Sequence, residues 1–250
     1  VGQMLIFGLA CHSTGKLAEG KGGAEDETCV APDPIEEAFL PAGMQQDGTA
    51  ILPNGRRISP AGETIALEVT FPWGVVLTPD GNWAFVSAAG PHRAEGGTGT
   101  LLVVNLETKE VSVSQVGRAS NGLAVSPDGT TLYVAGAVDG LVHVVDITDP
   151  HAPSLDRNIE FRSGYIAGLA LSADGTTLYA LDSTGSKLLV VNLADDTWQE
   201  IKVGYYPREI ILSHDGKRAY VSNWAGNTVS IVDLEQGREV AQVDVGKAPE

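Results

Sequence analysis

The sequence predicts an all-β protein that is built from repeated four-stranded units. A turn that begins with Ser or Thr and ends with Asp-Gly occurs four times, and short runs of Val, Ile and Leu separate the copies. The aspartates of these turns recur at intervals of 41 to 48 residues, at Asp80, Asp128, Asp174 and Asp215. Intervals of this length are typical of β-propeller blades with four strands. The predicted fold class is therefore a β-propeller of four-stranded antiparallel blades.

Two further features recur in step with the turn. The predicted third strand of each unit ends at an Asx residue that can cap the next turn. These residues are Asn105, Asp146, Asn192 and Asp233. The predicted first strand of each unit is short, and in three units it begins with glycine, at Gly74, Gly122 and Gly168. Small residues suit an innermost strand, where neighbouring blades crowd around the central axis.

The fourth unit resembles a known repeat family. Its second strand reads Tyr-Val-Ser-Asn at 220–223 and follows Asp-Gly-Lys-Arg-Ala, which resembles the YVTN-type β-propeller repeat. Weaker copies lie at 84–87, 132–135 and 178–181, so the resemblance covers residues 71–250. Residues 52–62 also resemble the start of bacterial proteins in which such a propeller is joined to an alkaline-phosphatase-like phosphoesterase domain.

These markers predict how the propeller is divided. We expect a half-blade at 49–69, with a tight Asn54-Gly55 turn, and blades at about 71–117, 118–163, 164–204 and 205–250. The propeller domain would then span 47–250 with about 4.5 blades, whereas the family resemblance implies about seven. Because an open ring leaves a sheet edge exposed, we expect further C-terminal repeats to close it, so that this chain is truncated after Glu250.

The N-terminal region predicts export from the cell. Residues 1–10 look like the remnant of a signal peptide, and residues 11–46 like a flexible acidic tether. Cys11 follows a small residue and is a candidate for lipidation; the alternatives are an ordinary cleaved signal or an N-terminus without a targeting role, and a Cys11 that keeps a free side chain could form a disulfide with Cys29. We therefore predict an extracytoplasmic protein, which is periplasmic, secreted or a cell-surface lipoprotein, without a membrane span.

The charge restricts the class of partner. The net charge is −16 and the isoelectric point is near 4.6, and no cluster of Lys or Arg is present. Binding to nucleic-acid phosphates or to an anionic membrane surface needs such a cluster, so neither partner is predicted. A small ligand or another protein is the expected partner.

The loops that enter each blade and the loops between its second and third strands are predicted to share one face, around the mouth of the central channel. The residues predicted to bind a ligand or partner there are Trp73, His92, Arg93, Arg118, Asn121, Tyr206, Arg208, Asn223 and Trp224. Alternatively, the aromatic side chains pack between blades and the arginines pair with local carboxylates. The longer Gly-rich loop that carries His92 and Arg93 is alternatively a mobile surface loop.

The motifs of catalysis are missing from the sequence. It has no Gly-x-Ser-x-Gly motif, its five histidines are scattered, and its repeated aspartates are expected to form turns. No catalytic residue, metal or cofactor is therefore predicted. The leading interpretation is an exported, non-catalytic binding module that presents its loops and central channel. The alternatives are a propeller enzyme that resembles a lactonase such as 6-phosphogluconolactonase, the substrate-binding part of a phosphoesterase, and a structural surface-layer repeat.

Overall fold

The computed structural model describes residues 43–44, 49–51, 56–59, 62–67, 71–89, 99–161 and 164–249. Every regular element among these residues is a β-strand, and none of them is helical. The chain divides into two compact units, Val1–Thr64 and Ile65–Glu250. No helix in the described part is long and apolar enough to cross a membrane.

The first unit contains a small antiparallel sheet of three two-residue strands in chain order. Its strands are β1 (Gly43–Met44), β2 (Ala50–Ile51) and β3 (Arg57–Ile58). The pairing of β2 with β3 forms the expected hairpin, and the Arg57 Nε donates a hydrogen bond to the Thr49 hydroxyl at 2.9 Å. The assignment of residues 49–69 to a half-blade of the ring stays a prediction. The predicted signal remnant, tether and Cys11 lie outside the described residues.

The second unit contains four antiparallel sheets, each of which is formed by four strands consecutive in the chain. The first two sheets comprise β4 (Phe71–Leu77), β5 (Trp83–Ala89), β6 (Gly99–Asn105), β7 (Val111–Gly117), β8 (Leu123–Val125), β9 (Thr131–Ala135), β10 (Leu141–Asp146) and β11 (Ser154–Glu160). The third and fourth comprise β12 (Ile166–Leu171), β13 (Thr177–Asp182), β14 (Lys187–Asn192), β15 (Thr197–Lys202), β16 (Pro207–Leu212), β17 (Arg218–Asn223), β18 (Thr228–Asp233) and β19 (Arg238–Asp244). This architecture confirms the predicted fold class.

The four Asp-Gly turns form one repeated structure between the first and second strands of each sheet. In every copy the first Ser or Thr hydroxyl donates to the aspartate Oδ1 at 2.5–2.6 Å, and the backbone N–H two residues after the aspartate donates to the same oxygen at 3.1 Å. The glycine that follows has a φ of 68–73°, which glycine adopts readily. These aspartates therefore act as turn formers, as the sequence predicts.

The first strands of successive sheets contact one another, in the order β4, β8, β12 and β16. The backbones approach so closely that side chains are excluded. A Cβ on Gly122 would lie 1.9 Å from the Ala167 carbonyl oxygen, and a Cβ on Gly74 would lie 2.0 Å from the Asn121 carbonyl oxygen. The structure thus supports the predicted innermost position of these strands and explains why glycine stands there.

Most of the described hydrophobic core lies between neighbouring sheets, and the buried members of one further cluster all belong to the first sheet. The cluster between the first and second sheets includes Phe85, Leu101, Leu132 and Ile147, and all four side chains are fully buried. Two similar clusters join the second sheet to the third and the third to the fourth. Burial of one such side chain contributes about 1.5–3 kcal/mol, so each sheet depends on its neighbours for most of its stability.

Candidate functional site

The strand register brings the predicted site loops to one end of each sheet. Residues Pro72, Ile166 and Pro207 near the starts of first strands pair with Ala88, Asp182 and Asn223 near the ends of second strands. The loops that enter a sheet and the loops that follow its second strand therefore share an end. We call this end the loop face, and we call the opposite end, which carries the Asp-Gly turns, the turn face.

The first strands of the first and fourth sheets each contain a β-bulge at the loop face. The register shifts between Pro72 and Gly74 in the first sheet and between Pro207 and Glu209 in the fourth. The extra residues at these bulges are Trp73 and Arg208, both of them predicted site residues. Bulges re-aim a side chain relative to a regular strand and are enriched beside active sites.

Glu209 occupies a position at which the other three sheets have glycine. Its backbone N–H donates to the Ser222 hydroxyl at 3.1 Å, and the N–H of Gly74 donates to the Ser87 hydroxyl at the same distance. The backbone environment is thus shared, and only the side chain is different. Glu209 was not among the predicted site residues, although the loss of the repeated glycine is visible in the sequence.

Asn121 connects the second sheet to the fourth. Its Nδ2 donates hydrogen bonds to the Glu209 Oε1 and to the Arg208 carbonyl oxygen, the latter at 3.3 Å. Asn121 and Glu209 are far apart in the chain, but the inner ends of their sheets meet at the loop face. This bond orients the carboxylate of Glu209 next to the backbone of Arg208.

Two tyrosines lie close to Arg208. Burial raises the pKa of the Tyr165 phenol, the nearby Tyr206 raises it further, and the Arg208 guanidinium lowers it. Tyr165 belongs to the loop that enters the third sheet, whereas Tyr206 and Arg208 belong to the fourth. The structure therefore brings Asn121, Tyr165, Tyr206, Arg208 and Glu209 to one region, which we call the inner cluster.

Tyr206 and Trp224 lie on two loops that are tied together through the backbone. The Trp224 N–H donates to the Tyr206 carbonyl oxygen at 2.9 Å, and the ring centroids are 5.9 Å apart at an interplanar angle of 54°. Tyr206 has a φ of 56°, and Ala248, which also precedes a proline, has a φ of 53°. The backbone conformation thus recurs. A tyrosine also stands at the equivalent position of the third sheet, where the Ser183 N–H donates to the Tyr165 carbonyl oxygen at 2.9 Å.

Asn223 and Asp182 end the second strands of the fourth and third sheets and are buried. The Asn223 Nδ2 donates to the hydroxyls of Ser230 at 2.8 Å and Thr228 at 2.9 Å, and its Oδ1 has no hydrogen-bond partner. The Asp182 Oδ1 accepts from the Gly185 N–H at 2.8 Å and from the Thr184 hydroxyl. These side chains hold the loops behind the exposed surface.

Two of the remaining predicted residues, Arg118 and Trp73, are among those that the structure describes. Arg118 forms an ion pair with Asp139 at 3.6 Å, as the local-pairing alternative predicts, and its carbonyl oxygen contacts the Nε2 of the buried His143 at 3.0 Å. Trp73 is 45% exposed. His92 and Arg93 lie outside the described residues. Among the residues that the structure describes, no group of His, Cys, Asp and Glu is placed to hold a metal ion.

Comparisons with known proteins show the fold class but no family. No protein-family model and no curated protein matches the chain. Hydrazine synthase of Kuenenia stuttgartiensis is similar, with 25% identity and a TM-score of 0.58 over 73% of this chain and 51% of that one.

Two lactonase-named structures are also similar. The periplasmic gluconolactonase PpgL of Pseudomonas aeruginosa has 19% identity and a TM-score of 0.57, covering 81% of this chain and 64% of that one. A candidate 6-phosphogluconolactonase of Bacteroides uniformis has 18% identity and a TM-score of 0.58, covering 80% and 65%. The chain thus spans about half to two-thirds of the length of the solved structures that it matches.

These likenesses correct the leading interpretation of the sequence. A non-catalytic binding module was inferred because the chain lacks familiar catalytic motifs, but the three solved structures described above bear enzyme names. The non-catalytic interpretation is therefore wrong, and the enzyme alternative is the better supported one. The inference failed because the residues that distinguish one blade from another follow no local motif; they meet only when the sheets pack together.

Proposed function

We propose that this chain forms part of a β-propeller enzyme that hydrolyses a lactone, and that the inner cluster is its active site. The observation that carries this proposal is the position of Glu209, where a carboxylate replaces a repeated glycine and is oriented by Asn121 from another sheet. Its support from the comparisons is the likeness in fold to a gluconolactonase and to a candidate 6-phosphogluconolactonase.

The chemistry of lactone hydrolysis matches this set of side chains. Water attacks the carbonyl carbon, a tetrahedral oxyanion forms, and the ring C–O bond then breaks to give a hydroxy acid. A general base must take a proton from the water, and a positive group must stabilise the oxyanion. In our proposal Glu209 is the base and passes this proton to the leaving ring oxygen, Arg208 stabilises the oxyanion, and Asn121 positions Glu209.

The test is the rate of lactone hydrolysis by the purified protein with glucono-δ-lactone and 6-phosphogluconolactone, corrected for spontaneous hydrolysis. Glu209→Gln keeps the size and hydrogen-bonding capacity of the side chain but removes the base, so we expect kcat to fall by about 100-fold or more. Glu239→Gln in the outer strand of the same sheet is the matched control and should have wild-type activity. A wild-type protein that does not exceed the spontaneous rate, or a fully active Glu209→Gln variant, would contradict the proposal.

We propose further that the chain is of the YVTN type and acts outside the cytoplasm. The supports are the repeat sequence at 220–223, the apolar start followed by Cys11, and the likeness to a periplasmic protein. Cell fractionation tests the location. If Cys11 carries lipid, Cys11→Ser should move the protein from the membrane fraction to the soluble extracytoplasmic fraction; a wild-type protein found in the cytoplasm would refute export.

A further inference from the structure

We propose that an aromatic subsite beside the inner cluster binds a second sugar ring, so that the preferred substrate is the lactone of an aldonic acid that carries a glycosyl substituent. This inference rests on the proposed lactone hydrolysis and adds the substrate class. The subsite consists of Tyr205 and Trp224 on two loops of the fourth sheet, together with Tyr206, which it shares with the inner cluster.

Two of the three aromatic residues, Tyr205 and Trp224, depart from the repeat, whereas Tyr206 has a counterpart in Tyr165 of the third sheet. The loop that enters the fourth sheet reads Val-Gly-Tyr-Tyr-Pro from 203, and its counterpart after the last strand reads Val-Gly-Lys-Ala-Pro from 245. Two adjacent tyrosines thus replace Lys and Ala. Trp224 follows Asn223 at the position where Ser183 follows Asp182 in the third sheet. The repeat needs none of these aromatic rings for its backbone conformation.

The rings remain accessible although they are large and apolar. Tyr205 is 66% exposed and Trp224 is 40% exposed. Exposed aromatic groups that cluster at one place mark binding surfaces more often than single exposed side chains do. Their supporting loops are fixed, because the Gly226 N–H donates to the Tyr205 carbonyl oxygen at 3.1 Å and the Trp224 N–H donates to the Tyr206 carbonyl oxygen. A rigid aromatic surface loses little entropy on binding.

The chemistry of this surface favours a sugar ring over an alkyl chain. Tyr and Trp have an apolar ring face and a polar edge, the phenol O–H or the indole N–H. A pyranose has the matching arrangement, with C–H groups on its face and hydroxyls around its edge. An alkyl chain would remain in contact with water on such an open surface, because no enclosed aliphatic groove is formed by these residues.

The position of the subsite determines the form of the substrate. Tyr206 belongs to the inner cluster and precedes Arg208 by two residues, and its ring centroid lies 5.9 Å from that of Trp224. A ligand whose lactone ring contacts Arg208 and Glu209 would extend its substituent over Tyr206 toward Trp224 and Tyr205. An aldonolactone with one glycosyl group has this form and polarity.

The experiment compares glucono-δ-lactone with cellobionolactone, its 4-O-glucosyl derivative. We expect kcat/KM to be about fivefold or more higher for cellobionolactone, the gain expected of one aromatic contact. Tyr205→Ala and Trp224→Ala should each lower this ratio toward one. Val240→Ala, which removes an exposed apolar side chain from the outer strand of the same sheet, is the control and should leave the ratio unchanged.

Binding of the product cellobionate, measured by calorimetry, separates this inference from the proposed function. The subsite is supported, even if neither lactone is hydrolysed, when the protein binds cellobionate but not gluconate and the Tyr205→Ala variant no longer binds cellobionate. Hydrolysis of both lactones with equal kcat/KM, together with no binding of cellobionate, would overturn the subsite while the proposed lactonase stands. Absence of both hydrolysis and binding would overturn both.

Discussion

The turn face and the loop face of the four sheets follow opposite rules. At the turn face the same side chains form the same hydrogen bonds in every sheet, so that each Asp-Gly turn is nearly a copy of the next. At the loop face the backbone pairing recurs, but Glu209 replaces a glycine and Trp224 stands where the third sheet has Ser183. Repeated residues therefore maintain the architecture, and the exceptions are the candidates for recognition and chemistry.

The largest effect on stability should come from the inner glycines, because they set the distance between sheets. In Gly122→Ala the new Cβ would lie 1.9 Å from the Ala167 carbonyl oxygen, which is backbone and cannot move aside. We expect the free energy of unfolding to fall by about 3 kcal/mol, measured by urea denaturation.

The control for this substitution is Gly246→Ala, where a Cβ would meet no atom within 4 Å. Its stability should stay within about 0.5 kcal/mol of wild type. Equal stability of the two variants would show that the first strands are not held at the observed distance.

A smaller effect on stability is expected from substitution of His143, whose buried ring contacts the loop that carries Arg118. The ring Nδ1 contacts the Asn158 Oδ1 at 2.8 Å, and the Nε2 contacts the Arg118 carbonyl oxygen at 3.0 Å. His143→Leu removes both contacts. We expect a cost of about 1–3 kcal/mol of unfolding free energy, because the Arg118 carbonyl oxygen loses the partner that the buried ring provides.

Hydrogen exchange of the Arg118 loop provides the specific measurement. Exchange should become faster in residues 117–121 of His143→Leu, whereas the Asp128 turn of the same sheet should keep wild-type protection. Faster exchange throughout the sheet would instead indicate general destabilisation and would contradict a local role of His143.

The smallest effect concerns the turn aspartates and depends on pH. The hydrogen bond from the Ser126 hydroxyl, followed by those from Thr130, lowers the pKa of Asp128 in the folded protein. Its contribution to stability is therefore present above the unfolded pKa of about 4 and is lost as the pH falls through the lower folded value.

Asp128→Asn removes this titration, so the decrease in stability between pH 6 and pH 3 should be smaller in the variant than in wild type. Urea denaturation at a series of pH values measures it. Asp156→Asn provides the comparison. Asp156 is an exposed carboxylate, and its ion pair with Arg157 is the only ion pair that it forms in the described structure. An identical pH profile for Asp128→Asn and wild type would refute the role of the turn hydrogen bonds.

The fold could be predicted because it is encoded locally and repeatedly. Asp-Gly turns and inner glycines can be recognised within a few residues of sequence, and the recurrence of the turn in four units supports the prediction. The site could be predicted only in part, because the bond from Asn121 to Glu209 joins sheets that are not adjacent in sequence. The sequence shows Glu209 as an exception to Gly74, Gly122 and Gly168. It was not predicted as a site residue because the prediction selected mainly Arg and aromatic residues in loops. Asn223, selected by position, is fully buried.

Each sheet completes its ladder of hydrogen bonds within a single stretch of chain, and side-chain packing, the glycine contacts and a few hydrogen bonds, such as that from the Ser183 hydroxyl to the Pro207 carbonyl oxygen, join it to the next. Assembly can consequently begin at any sheet and spread to its neighbours, with little loop-closure entropy at each step. The chain can emerge from the ribosome and fold unit by unit, so that loops with unusual side chains acquire their partners only when the neighbouring sheet has docked. Chemistry at the loop face would accordingly be the last property that the nascent protein gains.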